Sequence, residues 1–498
     1  MQTSLSEALN LFKEGDIPKA KKICEKILLK NKNNAEVYNL YAFTLYFTSK
    51  FEGAVDSWKE ALNINPNYIE AFNGIGNAYL KLKNINLAIE NFEKAIRINP
   101  NFFEAYCNLG SSFLKLKKYQ SAIINFEKAI KIKPNYSKAI YGKAYSLMQN
   151  KNFDEAIIFF NKFIKLNSPS AEAYNAVASC LMSLDKFEES LDYLSKASNL
   201  DSRHQETNEN LINLTKFYEP EKDYSNLILK INKKIRLNKF ELNLQDQIKD
   251  EKIISYFNKI HEILKKNLPV SNFKEEQIFR RNKLSLNCDR HFKVFNTYNV
   301  IPEYCFGCYK IQIDLTNVLD LFKLHFIFDK LSLEGNNIRK TMIETRPNIK
   351  GTYKGLIYCS GLEEAKKIYK IVYPIIKFNI NEKIKLFIKR GCTEFSLSYP
   401  NFDKIDHSVK YNDDWREKEK QIDQNYNFDE GVIFKNSISG LTISDALIMK
   451  NWLIYAKKID DENFMKFSVD IFNNDYLEKK LSSQIVFRKK EFLKIKQL

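Results

Sequence analysis

Two short motifs in the C-terminal half place cysteine and histidine side chains at the spacing of a metal site. Cys288 and His291 enclose two residues, thirteen residues follow, and Cys305 and Cys308 again enclose two. Thiolate and imidazole groups in such paired motifs are ligands of tetrahedral zinc, and Gly307 would permit a tight turn within the second motif. The sequence therefore predicts a structural zinc site formed by Cys288, His291, Cys305 and Cys308.

The same thiols allow two metal-free interpretations. In one, Cys305 and Cys308 are reduced, packed side chains, and in the other a thiol reacts. A redox-active Cys-x-x-Cys pair needs a helix N-terminus to lower its pKa, whereas this pair precedes a predicted strand. A nucleophilic cysteine, for which Cys392 is a further candidate, needs a histidine partner such as His325 or His407. The run around His325 is apolar, which predicts a buried structural histidine.

Charged and aromatic residues of the same region suggest a different ligand. They flank one predicted strand and begin the next, with tyrosines close by in the sequence: Arg339, Lys340, Glu344, Arg346, Lys354, Tyr309, Tyr353 and Tyr358. A sheet face that presents such residues together can grip phosphates and stack on bases. RNA, or another acidic partner, is therefore an alternative ligand of this region.

Strands and helices must position these side chains. The sequence around them contains runs that alternate apolar and polar residues or are rich in β-branched residues, and two apolar helical patterns separate these runs. They predict strands at residues 309–315, 339–346, 353–360 and 383–391, and helices at 317–331 and 361–377, with Pro374 kinking or ending the second helix. The order strand–helix–strand–strand–helix–strand is the split β-α-β arrangement of ferredoxin-like α+β domains. We assign this domain to residues 271–400, with both helices on one face of a four-stranded antiparallel sheet.

Helical segments flank the predicted domain on both sides. Residues 205–270 carry two helical patterns, interpreted as capping helices that cover the last unit of the preceding region, and His261 is predicted to lie on the surface. Residues 401–498 form a helical extension, in which Thr442 and Asp445 have the spacing of a helix cap and Trp452 lies on an apolar stripe. The basic end of the extension is predicted to be one solvated amphipathic helix, with contact to a membrane surface or nucleic acid as the alternative.

The first 204 residues repeat a unit of 34 residues. The best two copies begin at Ile69 and Phe103 and share, position for position, aromatic, small and proline residues: Phe72 and Tyr106, Gly76 and Gly110, Ala88 and Ala122, Phe92 and Phe126, Pro100 and Pro134. Small residues let two antiparallel helices approach closely, aromatic residues fill the space to the next pair, and proline ends the second helix. Six such units are predicted, with the outermost ones least regular.

This pattern resembles the tetratricopeptide repeat (TPR) family over residues 1–204. The resemblance implies an all-α, right-handed superhelical solenoid with a concave groove that binds a protein or peptide, and it implies no reaction. Amides at Asn39, Asn73, Asn77, Asn108 and Asn175 are the candidate groove residues. The continuous asparagine ladder and the lysine-rich clamp of two specialised TPR classes are both missing from the sequence.

Composition sets outer limits on function. The formal net charge of +17 suggests an acidic partner, although a Lys-, Asn- and Ile-rich composition also arises in AT-rich genomes. The sequence contains no apolar leader, membrane-spanning run or nucleotide-binding fingerprint, which favours a cytoplasmic protein. We therefore predict an interaction scaffold with a cysteine-bearing, zinc-stabilised domain; an enzyme that is thiol-dependent or transferase-like, and an RNA-binding adaptor, are the alternatives.

Overall fold

The structure, a computed structural model, describes residues 4–265, 268, 273–280, 286–347, 349–426, 436–469 and 474–496. The chain divides into two compact units, Met1–Asp201 and Ser202–Leu498. In the described part of the first unit, helices follow one another in six pairs: α1 (Leu5–Lys13), α2 (Ile17–Lys30), α3 (Ala35–Phe47), α4 (Phe51–Ile64), α5 (Ile69–Lys81), α6 (Ile85–Ile98), α7 (Phe103–Lys115), α8 (Tyr119–Ile132), α9 (Ser137–Gln149), α10 (Phe153–Leu166), α11 (Ala171–Ser183) and α12 (Phe187–Leu200).

Each pair turns on a residue in the left-handed backbone conformation. Gly15 has this role in the first pair, and non-glycine residues have it in the others, at the same 34-residue interval: Ser49, Lys83, Lys117, Lys151 and Asp185. Their φ angles lie between 58° and 65°. Such a residue lets the following N–H groups bond back to the last helical turn, as Asn84 does to the Tyr79 carbonyl at 2.9 Å.

Aromatic side chains lie against glycine backbone where neighbouring helices meet. The Phe126 ring of α8 lies between Gly110 of α7 and Gly142 of α9, and a Cβ atom at either glycine would press on the ring. Trp58 of α4 lies in the same way against Gly74 of α5. Both aromatic side chains are fully buried, so α4 packs on α5 and α8 packs on α9 through contacts that a larger residue would disturb.

The second unit begins with helices α13 (Gln205–Leu214), α14 (Leu227–Leu237) and α15 (Asp250–Leu264). The last two confirm the predicted helical patterns, apart from residues 266–267, which lie outside the described residues; α13 was not predicted. The prediction that His261 is a surface residue is wrong, because its side chain is buried. His261 lies one turn after Phe257, on the stripe that α15 buries. The predicted packing of these helices on the last repeat stays a prediction.

A mixed region follows and supplies the strands of the chain. Its elements are β1 (Gln277–Arg280), α16 (Cys288–Tyr298), α17 (Glu303–Gly307), β2 (Tyr309–Leu315), α18 (Val318–Lys330), β3 (Arg339–Ile343), β4 (Tyr353–Cys359), α19 (Leu362–Asn379), β5 (Lys385–Arg390), α20 (Phe395–Ser398), α21 (Asp413–Asn425), α22 (Ile443–Lys458), a 3-10 helix (Glu462–Lys466), α23 (Asp475–Leu481) and α24 (Ile485–Lys496). β2 to β5 with α18 and α19 lie close to the predicted positions, whereas the four-residue β1 was too short to show a period.

The described strands form one antiparallel sheet in the order β1-β3-β4-β2-β5. α18 and α19 contact each other on one face, where a Cβ atom at Gly355 of β4 would meet Leu324 of α18. Residues that lie opposite each other in an antiparallel pair point to the same side. The strand register therefore places Lys310, Lys340, Lys354 and Lys389 on the other side of the sheet, which we call the lysine face.

Pro374 does not end its helix, so that part of the prediction is wrong. α19 runs on to Asn379 with Pro374 inside it. Val372 and Ile376 are both fully buried on either side of the proline. We attribute the continuation to this apolar stripe, since tertiary burial offsets the loss of one backbone hydrogen bond.

A buried ion cluster joins β1, α18 and α22. Arg280 donates to Asp329 at 2.6 Å and to Asp445 at 3.1 Å, and its Nη2 lies 3.4 Å from Nε2 of His325. Asp445 also completes the predicted capping box with Thr442 at the start of α22. The guanidinium of Arg280 therefore joins the edge strand β1 to α18, which covers the sheet, and to the N-terminal cap of α22.

The basic end of the chain forms two helices rather than the predicted single one. Gln484 closes the turn between α23 and α24, and Arg488 of α24 is fully buried. Its guanidinium donates to the carbonyl oxygens of Ile349 at 2.7 Å and Gly351 at 2.9 Å. This part of the helix therefore packs on the loop between β3 and β4, and the predicted solvated outer face stays a prediction.

Replacement of Gly74 tests the packing of consecutive pairs. The Cβ atom of Gly74→Ala would lie 2.5 Å from Cζ2 of Trp58, whose Nε1 is already held by Asn39 at 2.8 Å. We expect overpacking of about 1–3 kcal/mol to exceed the gain in helix propensity of up to ~1 kcal/mol, so the thermal unfolding midpoint falls. In the control Gly53→Ala the new atom lies 3.5 Å from Leu45, and the midpoint should rise. A rise in both variants would contradict the packing argument.

Candidate functional site

The candidate groove amides all lie on the first helix of a pair. Asn39 belongs to α3, Asn73 and Asn77 to α5, Asn108 to α7 and Asn175 to α11. Asn108 and Asn175 are buried, while the other three are half-buried. Asn39 accepts a hydrogen bond from Trp58, so its carbonyl orients a core side chain rather than facing solvent alone. The set therefore combines packing and surface positions, and its role in ligand binding stays a prediction.

Two of these amides belong to a chain of hydrogen bonds that crosses three pairs. Asn108 Nδ2 donates to Asn73 Oδ1 at 2.9 Å, and Asn108 Oδ1 accepts from Lys138 Nζ at 2.9 Å. Lys138 lies on α9 and is exposed. The chain holds the exposed ammonium of Lys138 and the half-buried amide of Asn73 in fixed positions along the first helices.

A second polar group of the array was not visible in the sequence pattern. Lys143 of α9 is buried, and its ammonium lies 2.8 Å from Glu127, 3.0 Å from Glu155 and 3.9 Å from the centroid of the Phe159 ring. These partners come from α8 and α10. The spacing of these residues in the sequence does not predict the contact, because the ion pairs depend on how successive helix pairs stack.

The predicted zinc ligands lie in helices rather than in knuckle turns. Cys288 and His291 fall in the first turn of α16, Cys305 lies in α17, and Cys308 follows it directly. Gly307 is part of α17 and has no positive φ, so the predicted tight turn at this glycine is wrong. The short helix α17 forms there instead of a turn, and the side chain of Cys305 within it is buried.

The four residues have different surroundings. The His291 ring stacks on Tyr304 at 5.1 Å between centroids, and burial, followed by the charge of Arg290, lowers its pKa to about 4. Burial raises the pKa of Cys288 to about 11 and also raises the pKa values of Cys305 and Cys308. Among the residues that the structure describes, no group of three or more Cys, His, Asp or Glu side chains is arranged to hold a metal ion. Zinc binding stays a prediction.

The thiol surroundings contain a fourth cysteine and a lysine. Lys310 Nζ donates to Cys392 Sγ at 3.0 Å, and the charge of Lys310 acts against the burial that raises the thiol pKa values of Cys305 and Cys308. We call Cys288, Cys305, Cys308 and Cys392 the thiol cluster. Lys310 contacts Cys392, which is not one of the four predicted ligands, and its positive charge would lie beside any metal ion bound by the neighbouring thiols.

The two candidate histidine partners do not meet these thiols. His325 is buried in the Arg280 cluster, where burial and then the charge of Arg280 lower its pKa to about 4, which confirms the predicted structural role. The His407 ring is hydrogen bonded to Arg390 and packs on Phe402. Neither arrangement provides a general base for Cys392.

The charged and aromatic set proposed for RNA is divided between the two faces of the sheet. Tyr309, Tyr353 and Arg339 point toward the face covered by α18, and all three are buried. Tyr353 and Tyr309 therefore cannot stack on a base, and this part of the prediction is wrong. Alternation along each strand, which the sequence grouping ignored, separates them from Lys340 and Tyr358 on the lysine face.

Membrane insertion finds no support in the described helices. Each of them is too short or too polar to cross a bilayer.

Comparison with known proteins bears on the first unit. A family model described as "TPR repeat" matches residues 44–83 and 76–117, and one described as "Anaphase-promoting complex, cyclosome, subunit 3" matches residues 115–197. No curated protein matches the chain in sequence.

The chain is similar to several solved structures, and each alignment covers almost the full length of the other protein. They include YrrB, titled a TPR protein with an unusual peptide-binding site (23% identity, 37% of this chain and 95% of that chain, TM-score 0.34). MamA from Desulfovibrio magneticus RS-1 shows 20% identity over 35% of this chain and 98% of that chain, with a TM-score of 0.33. PilF of Pseudomonas aeruginosa shows 18% identity over 41% and 93%, with a TM-score of 0.38. The first unit, six helix pairs with a 34-residue period, is an array of tetratricopeptide repeats.

Proposed function

We propose that this protein is an interaction scaffold whose repeat array binds a protein or an extended peptide. The observation that carries the proposal is the hydrogen-bonded chain Asn73–Asn108–Lys138, which runs across three consecutive pairs. Stacked repeats offer long continuous surfaces, and polar groups fixed beforehand reduce the entropy lost on binding. Lys138 can donate further hydrogen bonds to carbonyl or carboxylate oxygens of a ligand.

We further propose that residues 271–400 are a ferredoxin-like split β-α-β domain that offers a second surface. Its support is the strand order β3-β4-β2-β5 with α18 and α19 on one face. β1 extends the sheet by one strand beside β3. In this proposal residues 205–270 and 401–498 are helical segments around that domain. A cytoplasmic location is retained as part of the proposal.

A thiol-dependent enzyme is the second candidate, and one contact favours it. The ammonium of Lys310, 3.0 Å from Cys392, would stabilise a thiolate at that position. Against this, burial raises the pKa values of the other three thiols of the cluster. We therefore place the scaffold function first.

Peptide selection tests the proposed groove. We expect a displayed library of random peptides to yield binders of the full-length chain. Asn73→Ala and Lys138→Ala should each weaken them by up to about tenfold, because each removes a hydrogen-bonding group from the surface. The matched control is Asn63→Ala, an exposed amide on the second helix α4, which should bind normally. Failure to select any binder, or equal affinity of all three variants, would sink the groove proposal.

Metal analysis of the purified chain decides between zinc and a metal-free thiol cluster. A zinc site made by Cys288, His291, Cys305 and Cys308 requires about one zinc per chain, lost in Cys305→Ala. The position of Lys310 among the thiols favours the other result, zinc far below one per chain and unaffected by the substitution. Stoichiometric zinc that disappears in Cys305→Ala would establish the site predicted from the sequence.

A further inference from the structure

Three lysines of the lysine face are buried and form no ion pair with a described carboxylate. Lys310 and Lys389 are each 4% exposed and Lys340 is 8% exposed. Within the described residues, no carboxylate lies within 4.0 Å of any of the three ammonium groups. Lysines are seldom buried to this extent unless they are paired, because removing an ammonium from water is costly. Within the described part of the chain, these three ammonium groups therefore lie together without a paired carboxylate.

Strand register brings these charges together. Lys310 of β2 lies directly opposite Lys389 of β5, and Lys340 lies opposite Leu356 on β4, one row away from Tyr358 and Lys310. Like charges that face each other across strands destabilise a sheet. The charges also affect titration: burial, then Lys310 and Arg346, lower the pKa of Lys340 to about 7, and burial, then Lys310 and Lys354, lower that of Lys389 to about 8.

The contacts that these ammonium groups do make are neutral. Lys310 donates to the Cys392 thiol and lies 4.9 Å from the centroid of the Tyr358 ring. Lys389 donates to the Thr393 hydroxyl. Lys340 donates no hydrogen bond within the described residues, and its ammonium lies 5.5 Å from the centroid of the Phe279 ring. At least Lys340 therefore retains its full capacity as a donor.

Several other buried or half-buried cations of the same unit have carboxylate partners, whereas the buried Arg339 bonds to the Leu331 carbonyl and the Asn336 amide oxygen. Lys354 and Arg346 share Glu344 at 2.8 Å and 2.6 Å, and although burial raises its pKa, these two partners lower the pKa of Glu344 to about 2. Arg280 has two carboxylates of its own. Among the residues that the structure describes, Lys354 and Arg280 thus have carboxylate partners, and Lys310, Lys340 and Lys389 have none within 4.0 Å.

We propose that Lys310, Lys340 and Lys389 form a binding site for a small molecule that carries a phosphoryl dianion. Two negative charges on three acceptor oxygens would offset the excess charge and accept hydrogen bonds from several ammonium groups at once. The half-buried residues Tyr358, Cys392 and Arg346 provide the exposed side of the site. Because the three lysines are only 4–8% exposed, we propose a small phosphoryl group rather than a polynucleotide backbone that lies along the surface. The proposal does not depend on peptide binding by the repeat array.

Calorimetric titration of the full-length chain tests the site with defined probes. We expect inorganic phosphate, or the monoester AMP, to bind more tightly than chloride at matched ionic strength. Lys340→Met should weaken this binding by at least about tenfold, because it removes one charged donor. The same variant should unfold at an equal or higher temperature without ligand, since an unpaired buried charge has been replaced by an apolar side chain. A purely structural lysine would give a less stable protein instead.

Two further variants complete the test. Lys389→Met should lose phosphate binding in the same way and replaces Lys340→Met if that protein fails to fold. Lys370→Met, an exposed position on α19, should bind as the unaltered chain does. Binding of AMP but not of inorganic phosphate identifies an ester as the ligand, and the reverse identifies the free ion; either supports the site. Absence of binding by both probes, binding only of single-stranded RNA, or binding by Lys340→Met within twofold of the unaltered chain would overturn the proposal.

Discussion

Aromatic rings that lie against glycine backbone are the contacts on which the repeat array depends. Phe126 contacts Gly110 in its own pair and Gly142 in the next, so one side chain joins two levels of the stack. Trp58 of α4 likewise packs against Gly74 of α5 in the next pair, and its indole N–H donates a hydrogen bond to Asn39. Because each pair contacts only its neighbours, the stability of such an array is the sum of many similar contacts. Its surface can then vary, and polar chains such as Asn73–Asn108–Lys138 can run along it without loss of the core.

The second unit depends on a different kind of interaction. Arg280 gathers Asp329, Asp445 and His325 in the interior, and removal of any one carboxylate would leave a buried charge poorly compensated. The cluster ties the edge strand β1 to α18 and α22, and Arg488 ties α24 to the loop after β3. These long-range contacts make a single compact body from segments that are far apart in the chain.

The lysine face and the thiol cluster meet at Lys310. The ammonium of Lys310 contacts Cys392, and Lys310 lies opposite Lys389 in the sheet. The charge of Lys310 therefore acts both on the thiols and on the other lysines of the sheet. In the proposal made above, an anion rather than a metal ion would balance the charge of these lysines. A positive ion would add to the local excess of charge, whereas an anion would reduce it. This difference is our reason for proposing an anionic ligand at this place.

Sequence alone determined the features that depend on local periodicity. The 34-residue repeat, the capping box at Thr442 and the strands and helices around residues 309–390 all follow from side-chain patterns that act within one element. It did not reveal β1 and α17, since elements of four and five residues carry little period, nor α13, α16 and the left-handed turns at lysine and serine. Tertiary structure decided three other features. It buries His261, places Tyr353 and Lys340 on opposite faces of the sheet, and brings Lys310 into contact with Cys392. Each depends on which faces pack together, and strand register and helix packing set those faces through contacts between distant residues.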